Sequence, residues 1–275
     1  MLIPLTWDAN QDSCEWAILD RQGHVLRRGR AMIGELPQCD ETEIVVPASM
    51  TGFITAQLPP GNRNKVLSAL PFLVEDSLIS PPEDIHAALA AQSDSQVVIA
   101  VIQKAWCKRI LERLARVEIY PARMFPETLL PELPRRGWAV VCRGNESFIR
   151  TSPTQGFPLD IDCSDATIPF VLKLALEQTE ESTRPAELAI YGDMPEHVES
   201  WETQLDIPLV RATQQEWFLN NAKLTFNLLQ GEFQPSGGIA RRLIPFKPVA
   251  ITLDTLSASR SRKLSTCSKF WNTRV

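Results

Sequence analysis

No two of the six cysteines (Cys14, Cys39, Cys107, Cys142, Cys163, Cys267) form a CxxC pair, and none has a histidine beside it. That spacing excludes a zinc knuckle and a small disulfide scaffold, and leaves reduced, packed thiols as the expectation. Histidine is scarce as well: His24, His86 and His197 fall on separate expected elements, so they offer no convergent metal donors. There is no GxxxxGK[ST] loop to cradle a phosphate and no G-x-S-x-G turn to expose a nucleophile, Ser49 in PASMTG included. No run approaches the ~20 apolar residues that cross a bilayer, and MLIPLTWDAN has neither the basic nor the apolar part of a signal peptide. Acid is nearly missing from one region. Residues 241–275 carry eight Lys/Arg against Asp254 alone, leaving 20 basic and 32 acidic residues for 1–240. An acidic body near −12 thus precedes a basic tail near +7, an asymmetry expected of a folded module attached to something that meets a polyanion or a membrane surface.

What is there is a pattern that runs twice. Strand-like runs Leu2–Trp7, Cys14–Asp20 and His24–Arg30 are joined by short polar turns, which predicts an antiparallel meander. Glu43–Val46 and Gly52–Leu58 follow as strands bounded by Pro47 and Pro59. GNRNKVLSALPFLVEDSL has helical spacing at Val66, Leu67, Leu70, Leu73, Val74 and Leu78, with Pro71 predicting a kink or two short helices. Ile85–Ala91 and Gln96–Ile102 are strands, Lys104–Arg116 an amphipathic helix, and Val117–Tyr120 a return to strand. The second pass gives strands Trp138–Arg143, Glu146–Thr151 and Phe157–Ile161, then a helix to Glu177 capped by Thr167. Strand Glu187–Tyr191, helix Pro195–Gln204, strand Pro208–Arg211 and helix Thr213–Asn220 complete it. The order βββαβαβα is that of the ribonuclease-H-like topology. The fold class is therefore α/β with mixed sheets: tandem ribonuclease-H-like lobes of the actin-like ATPase superfamily. The expected lobes are 1–132, with an insertion at about 61–102, and 133–234, followed by a disordered, basic, juxtamembrane-type tail at 235–275.

A nucleotide-hydrolysing member of that group needs a D-x-G-x-[ST] loop at each lobe's first hairpin, glycine for backbone approach and aspartate for metal. Here the turns are Asp8-Ala9-Asn10-Gln11-Asp12-Ser13, without glycine, and Arg143-Gly144-Asn145-Glu146, without aspartate. Nor do carboxylates sit where a two-metal nuclease would need them: Asp8 follows the first strand, but neither Glu43–Val46 nor WAVVCR ends on an acid. The residues predict no enzyme, no cofactor and a nucleotide site that has degenerated. The acidic group Glu75, Asp76, Glu83 and Asp84, stiffened by Pro71, Pro81 and Pro82, reads either as a solvated turn or as a rigid corner that faces a partner.

ALPFLVEDSLISPPEDIHAAL (69–89), after LPPGNR (58–63), resembles the signature region of the type II secretion system protein L family. NLLQGEF (227–233) resembles the motif that closes that family's cytoplasmic domain, and VVPASMTGFITAQLP (45–59) is consistent with it. The resemblance implies a scaffold on the cytoplasmic face of the bacterial inner membrane that recruits the secretion ATPase, component E. It also implies contacts with component M and with a second copy, and it places the basic tail against anionic lipid. Family members continue into a transmembrane helix and a periplasmic domain. Residues 245–275 show neither, so a truncated or frame-shifted reading is the expectation. Two alternatives are an ATP-binding protein of the pilus-assembly or cell-division type and a nucleic-acid binder acting through the tail. The second is disfavoured because the tail has a single tryptophan, Trp271, and no stacking array.

Overall fold

A computed structural model describes residues 2–4, 13–20, 22–57, 69–70, 72–78, 80–93, 95–144, 146–160, 167–213, 217–218 and 224–235. The first sheet consists of β1 (Leu2–Pro4), β2 (Ser13–Leu19), β3 (Val25–Met32), β4 (Glu43–Val46) and β8 (Arg123–Pro126), in the order β3-β2-β1-β4-β8. The β1–β2 and β2–β3 pairs are antiparallel, and β4 and β8 add in parallel. The second sheet repeats the plan with β9 (Gly137–Cys142), β10 (Phe148–Ser152), β11 (Gln155–Pro158), β12 (Glu187–Gly192) and β13 (Leu209–Arg211), ordered β11-β10-β9-β12-β13. Its first two pairs are again antiparallel and its last two parallel. The tandem ribonuclease-H-like arrangement is realised in both sheets.

The β-branched composition of β4 fits a strand buried on both faces. Ile44 and Val46 pack with Cys107, Ile110 and Leu114 of helix α1 (Lys104–Ala115), while Val45 packs with Ala139, Val141 and Phe148 of the second sheet. Buried Glu43 lies directly opposite Arg123 of β8 and pairs with it at 2.8 Å. In the second sheet Trp138, Val140, Leu188 and Ile190 pack with Leu172 and Leu176 of α2 (Phe170–Glu177) and with Trp201 and Leu205 of α3 (Val198–Leu205). The opposite faces of β4, β9 and β12 meet in one shared cluster that also holds Phe125, Leu130, Tyr191, Trp217 and Phe218.

Between β4 and β8 in the chain lies a third, antiparallel sheet of β5 (Gly52–Gln57), β6 (Ile85–Gln92) and β7 (Gln96–Gln103), ordered β5-β7-β6. Along β7 the side chains alternate, as the pleat requires. Val98, Ala100 and Ile102 face the α1 core, while Val97, Ile99 and Val101 face Leu70 and Val74. Ala69–Leu70 and Phe72–Val74 are helical; Pro71 and residues 61–68 of the expected helix lie outside the described residues.

Two local expectations need correction. Val117–Tyr120 is not a strand but the stop of α1. Ile119 N–H donates to Leu114 O and Glu118 N–H to Ala115 O, with Glu118 at φ 60, and Ile119 buries itself against the helix core. That is the two-bond left-handed helix ending, in which an apolar residue after the turn returns to the core. The strand character therefore begins only at Arg123. Nor does Thr167 supply the cap of α2: Asp160 accepts from Val171 N–H at 3.0 Å and Phe170 N–H at 3.2 Å. The expected helix Thr213–Asn220 lies largely outside the described residues.

Candidate partner-binding surface

Two short 3₁₀ turns carry the acidic group. Glu75 and Asp76 lie in Glu75–Ser77, and Glu83 and Asp84 in Pro82–Asp84, which leads directly into β6. Glu75, Glu83 and Asp84 are exposed; of the Asp76 side chain nothing is described. Both turns are fixed from beneath, since Leu70, Val74, Leu78 and Ile85 belong to the apolar cluster on the outer face of the third sheet. Phe72, in the same stretch, stands 73% exposed. Its position outside the apolar spacing of residues 66–78 was the signal for that exposure. The same stretch of chain thus presents one exposed aromatic side chain and the exposed acids Glu75, Glu83 and Asp84.

The motif 227–233 proves to be a strap. Leu228 N–H donates to Met124 O at 2.7 Å, and Asn227 Oδ1 accepts from Met124 N–H at 3.0 Å. Arg123 donates to Leu224 O. The strap therefore runs along β8, the last strand of the first sheet, and continues to β6, the last strand of the third. There Gln230 accepts from Leu89 N–H and donates to Leu89 O, both at 3.0 Å. His86 Nε2 bonds Leu228 O at 2.7 Å and its ring meets Phe233 edge-on at 4.8 Å. Glu232 pairs with Lys104 at 3.2 Å. Burial holds His86 below the ordinary imidazole value, against the opposing pull of Leu228 O.

At the second lobe's first hairpin turn, Arg143 is held by carboxylates of the chain itself. Arg143 Nη2 donates to Glu127 Oε2 at 2.8 Å, and Glu127 Oε1 accepts from Ala48 N–H at 2.7 Å. Arg143 Nε lies 3.2 Å from Glu146, and the guanidinium stands 5.7 Å from the centre of the Trp217 ring. Burial raises the Glu127 carboxyl although Arg143 and the Ala48 amide oppose it; burial would lower the Arg143 guanidinium, but the Glu127 and Glu146 carboxylates outweigh it and raise it. The first expected turn, Asp8–Ser13, lies outside the described residues except for Ser13. Among the described residues no group of three His, Cys, Asp or Glu could hold a metal, and no helix is long and apolar enough to cross a membrane. His24, exposed beside Asp20, buried His86, and His197 before α3 lie on separate elements.

Twin sheets of this order with a third sheet inserted in the first define an actin-like fold. The solved cytoplasmic domain of EpsL, an inner membrane component of the type II secretion system of Vibrio cholerae, matches it with TM-score 0.67 at 20% identity, over 85% of this chain and 98% of that one. A PilM–PilN type IV pilus biogenesis complex matches with TM-score 0.55 at 10% identity, over 78% of this chain and 88% of that one. The family model for type II secretion system (T2SS) protein L covers residues 1–236, and the chain belongs to that family. The protein L of Dickeya chrysanthemi is 22% identical over 261 residues, 92% of this chain and 61% of that protein. That of Vibrio cholerae is 26% identical over 123 residues, 44% of this chain and 30% of that protein. The chain thus spans about three fifths of the Dickeya relative's length, and its match to the Vibrio relative is shorter.

Proposed function

We propose that the chain is the cytoplasmic scaffold part of a type II secretion protein L, which recruits the secretion ATPase, component E, to the inner membrane and turns over no nucleotide itself. Family membership over residues 1–236 supports the assembly. The non-catalytic part is carried by the state of the Arg143 turn, where the guanidinium is engaged by Glu127 and Glu146 rather than open to a phosphate. On this reading 1–132 and 133–234 are two lobes, the exposed acids Glu75, Glu83 and Asp84 with neighbouring Asp76 form part of the ATPase-facing surface, and the basic 235–275 segment lies against anionic lipid. Component M and a second copy are further partners, and no cofactor or nucleic acid is required.

Calorimetric titration of the chain with the ATPase tests the assembly; one-to-one binding is expected, and no heat and no co-elution would refute it. Titration with magnesium and ATP tests the second half, because micromolar binding would make this an actin-like ATP-binding protein instead. Reversing both Glu83→Lys and Asp84→Lys should slow association and flatten its salt dependence while the melting temperature holds. Exposed charges at an interface rim act mainly on the encounter rate. Unchanged kinetics would move the interface elsewhere.

A further inference from the structure

The ends of three strands meet where Glu127 sits. Ala48 follows β4, Glu127 follows β8, and Arg143 follows β9, so β4 and β8 bring the first sheet and β9 brings the second to one point. In open α/β sheets the space beyond the carboxyl ends of the strands is where ligands bind. The donors gathered there, a backbone N–H at the start of a turn and a guanidinium, are the chemistry of an oxyanion receptor. The Glu127 side chain is 5% exposed and its two oxygens divide between the two donors, one for each sheet.

We propose that Glu127 is an intramolecular ligand: its carboxylate fills an anion site built from the Ala48 amide and the Arg143 guanidinium, and holds the two sheets in one relative position without any bound nucleotide. Three features distinguish this from an ordinary buried ion pair. Glu127 lies on the connector between the sheets, not on a strand of either. Its partner Arg143 stands at the turn where a nucleotide-binding member of the fold would meet a phosphate. Its other oxygen takes a backbone donor from the opposite sheet's side of the site. A carboxylate already held by the fold meets both donors without the loss of translational freedom that a free anion would incur on binding. The site is therefore silent to solution anions as long as Glu127 is in place. The inference stands apart from the scaffold reading, because it needs no partner and its test contains none.

The test is anion rescue. Glu127→Ala should lower the melting temperature of the whole chain and leave the Ala48 amide and Arg143 facing an anion-sized gap. Sodium formate or acetate, exchanged for chloride at constant ionic strength, should then raise that temperature, with a gain growing as the logarithm of anion concentration, as mass action requires. Inorganic phosphate forms a separate arm. A response to either anion supports the site, and the stronger one assigns its chemistry as carboxylate or phosphate. Wild type and Leu172→Ala, a core truncation on α2 where it packs against the second sheet, should show only the shared salt effect. If Glu127→Ala gains no more from formate or phosphate than Leu172→Ala does, the proposal fails. Where Glu127→Ala does not fold in chloride, refolding yield replaces melting: a yield raised by formate supports the site, and equal yields overturn it.

Discussion

Replacing Gln230 by alanine tests whether the strap secures the third sheet. The amide of Gln230 makes three hydrogen bonds: from Leu89 N–H, to Leu89 O, and to Asn227 O at 2.8 Å. Leu89 is itself 6% exposed, so truncation leaves both of its outward backbone groups in a largely dry setting. A buried polar group that loses its partner costs roughly 1–3 kcal/mol. Gln230 is only partly buried, so water can enter and the low end applies to each group, for about 2–3 kcal/mol in all. At ~2–4 °C per kcal/mol for a domain of this size, melting should fall by about 5–10 °C. Hydrogen exchange at the Leu89 amide should accelerate at the same time. Gln230→Glu should be at least as harmful as alanine, because it keeps the acceptor for Leu89 N–H but sets a carboxylate oxygen against Leu89 O. A Gln230→Ala protein that melts within about 1 °C of wild type would refute the strap as a source of stability, and a Gln230→Glu protein better than alanine would refute the donor bonds.

The remaining expectations are shorter. His86 is buried and held below its ordinary value of 6.5, so below that pH the unfolded chain takes up a proton that the folded one resists; stability should drop as pH falls from about 6.5, and His86→Gln should flatten that slope in urea titrations. Burial pushes the thiols of Cys14 and Cys107 up to about 12 and that of Cys39 to about 11, so these three thiols should react slowly with thiol reagents at neutral pH in the native protein and quickly once it unfolds, as residue-resolved labelling would read. A Cβ on Gly156 would lie 2.7 Å from Ile149 O and from Thr128 Cβ, so Gly156→Ala should destabilise by about 1–3 kcal/mol in denaturant melts.

The strands were legible because pairing leaves a local trace: Glu43–Val46 shows its β-branched composition and Gln96–Gln103 its unbroken apolar run within a few residues. Val117–Tyr120 misled because an apolar residue folded back over a helix end has the same composition as one in a strand; the distinction lies in the positive φ of Glu118, at a residue type that does not announce it. The acidic corner was legible as exposed turns, since proline and acid predict both features. The meaning of NLLQGEF was not. Its bonds reach Leu89, 141 positions away, and Met124, 103 positions away, and no local pattern encodes a partner at that distance. The pairing of Glu127 with Arg143, 16 residues apart on different elements, was hidden for the same reason.

The strap also sets an order of events during synthesis. Leu89 leaves the ribosome 141 residues before Gln230 does. At ~5–20 residues per second, that interval lasts on the order of ten seconds. Throughout it, the outer edges of β6 and β8 have no strap, and an uncovered strand edge is a template for pairing with another chain. The two sheets can form early, but their margins are closed last, by the final dozen described residues. A nascent chain of this protein is therefore most open to mispairing late in its translation, and the stretch that ends the hazard is the same seven-residue motif by which the sequence is recognised.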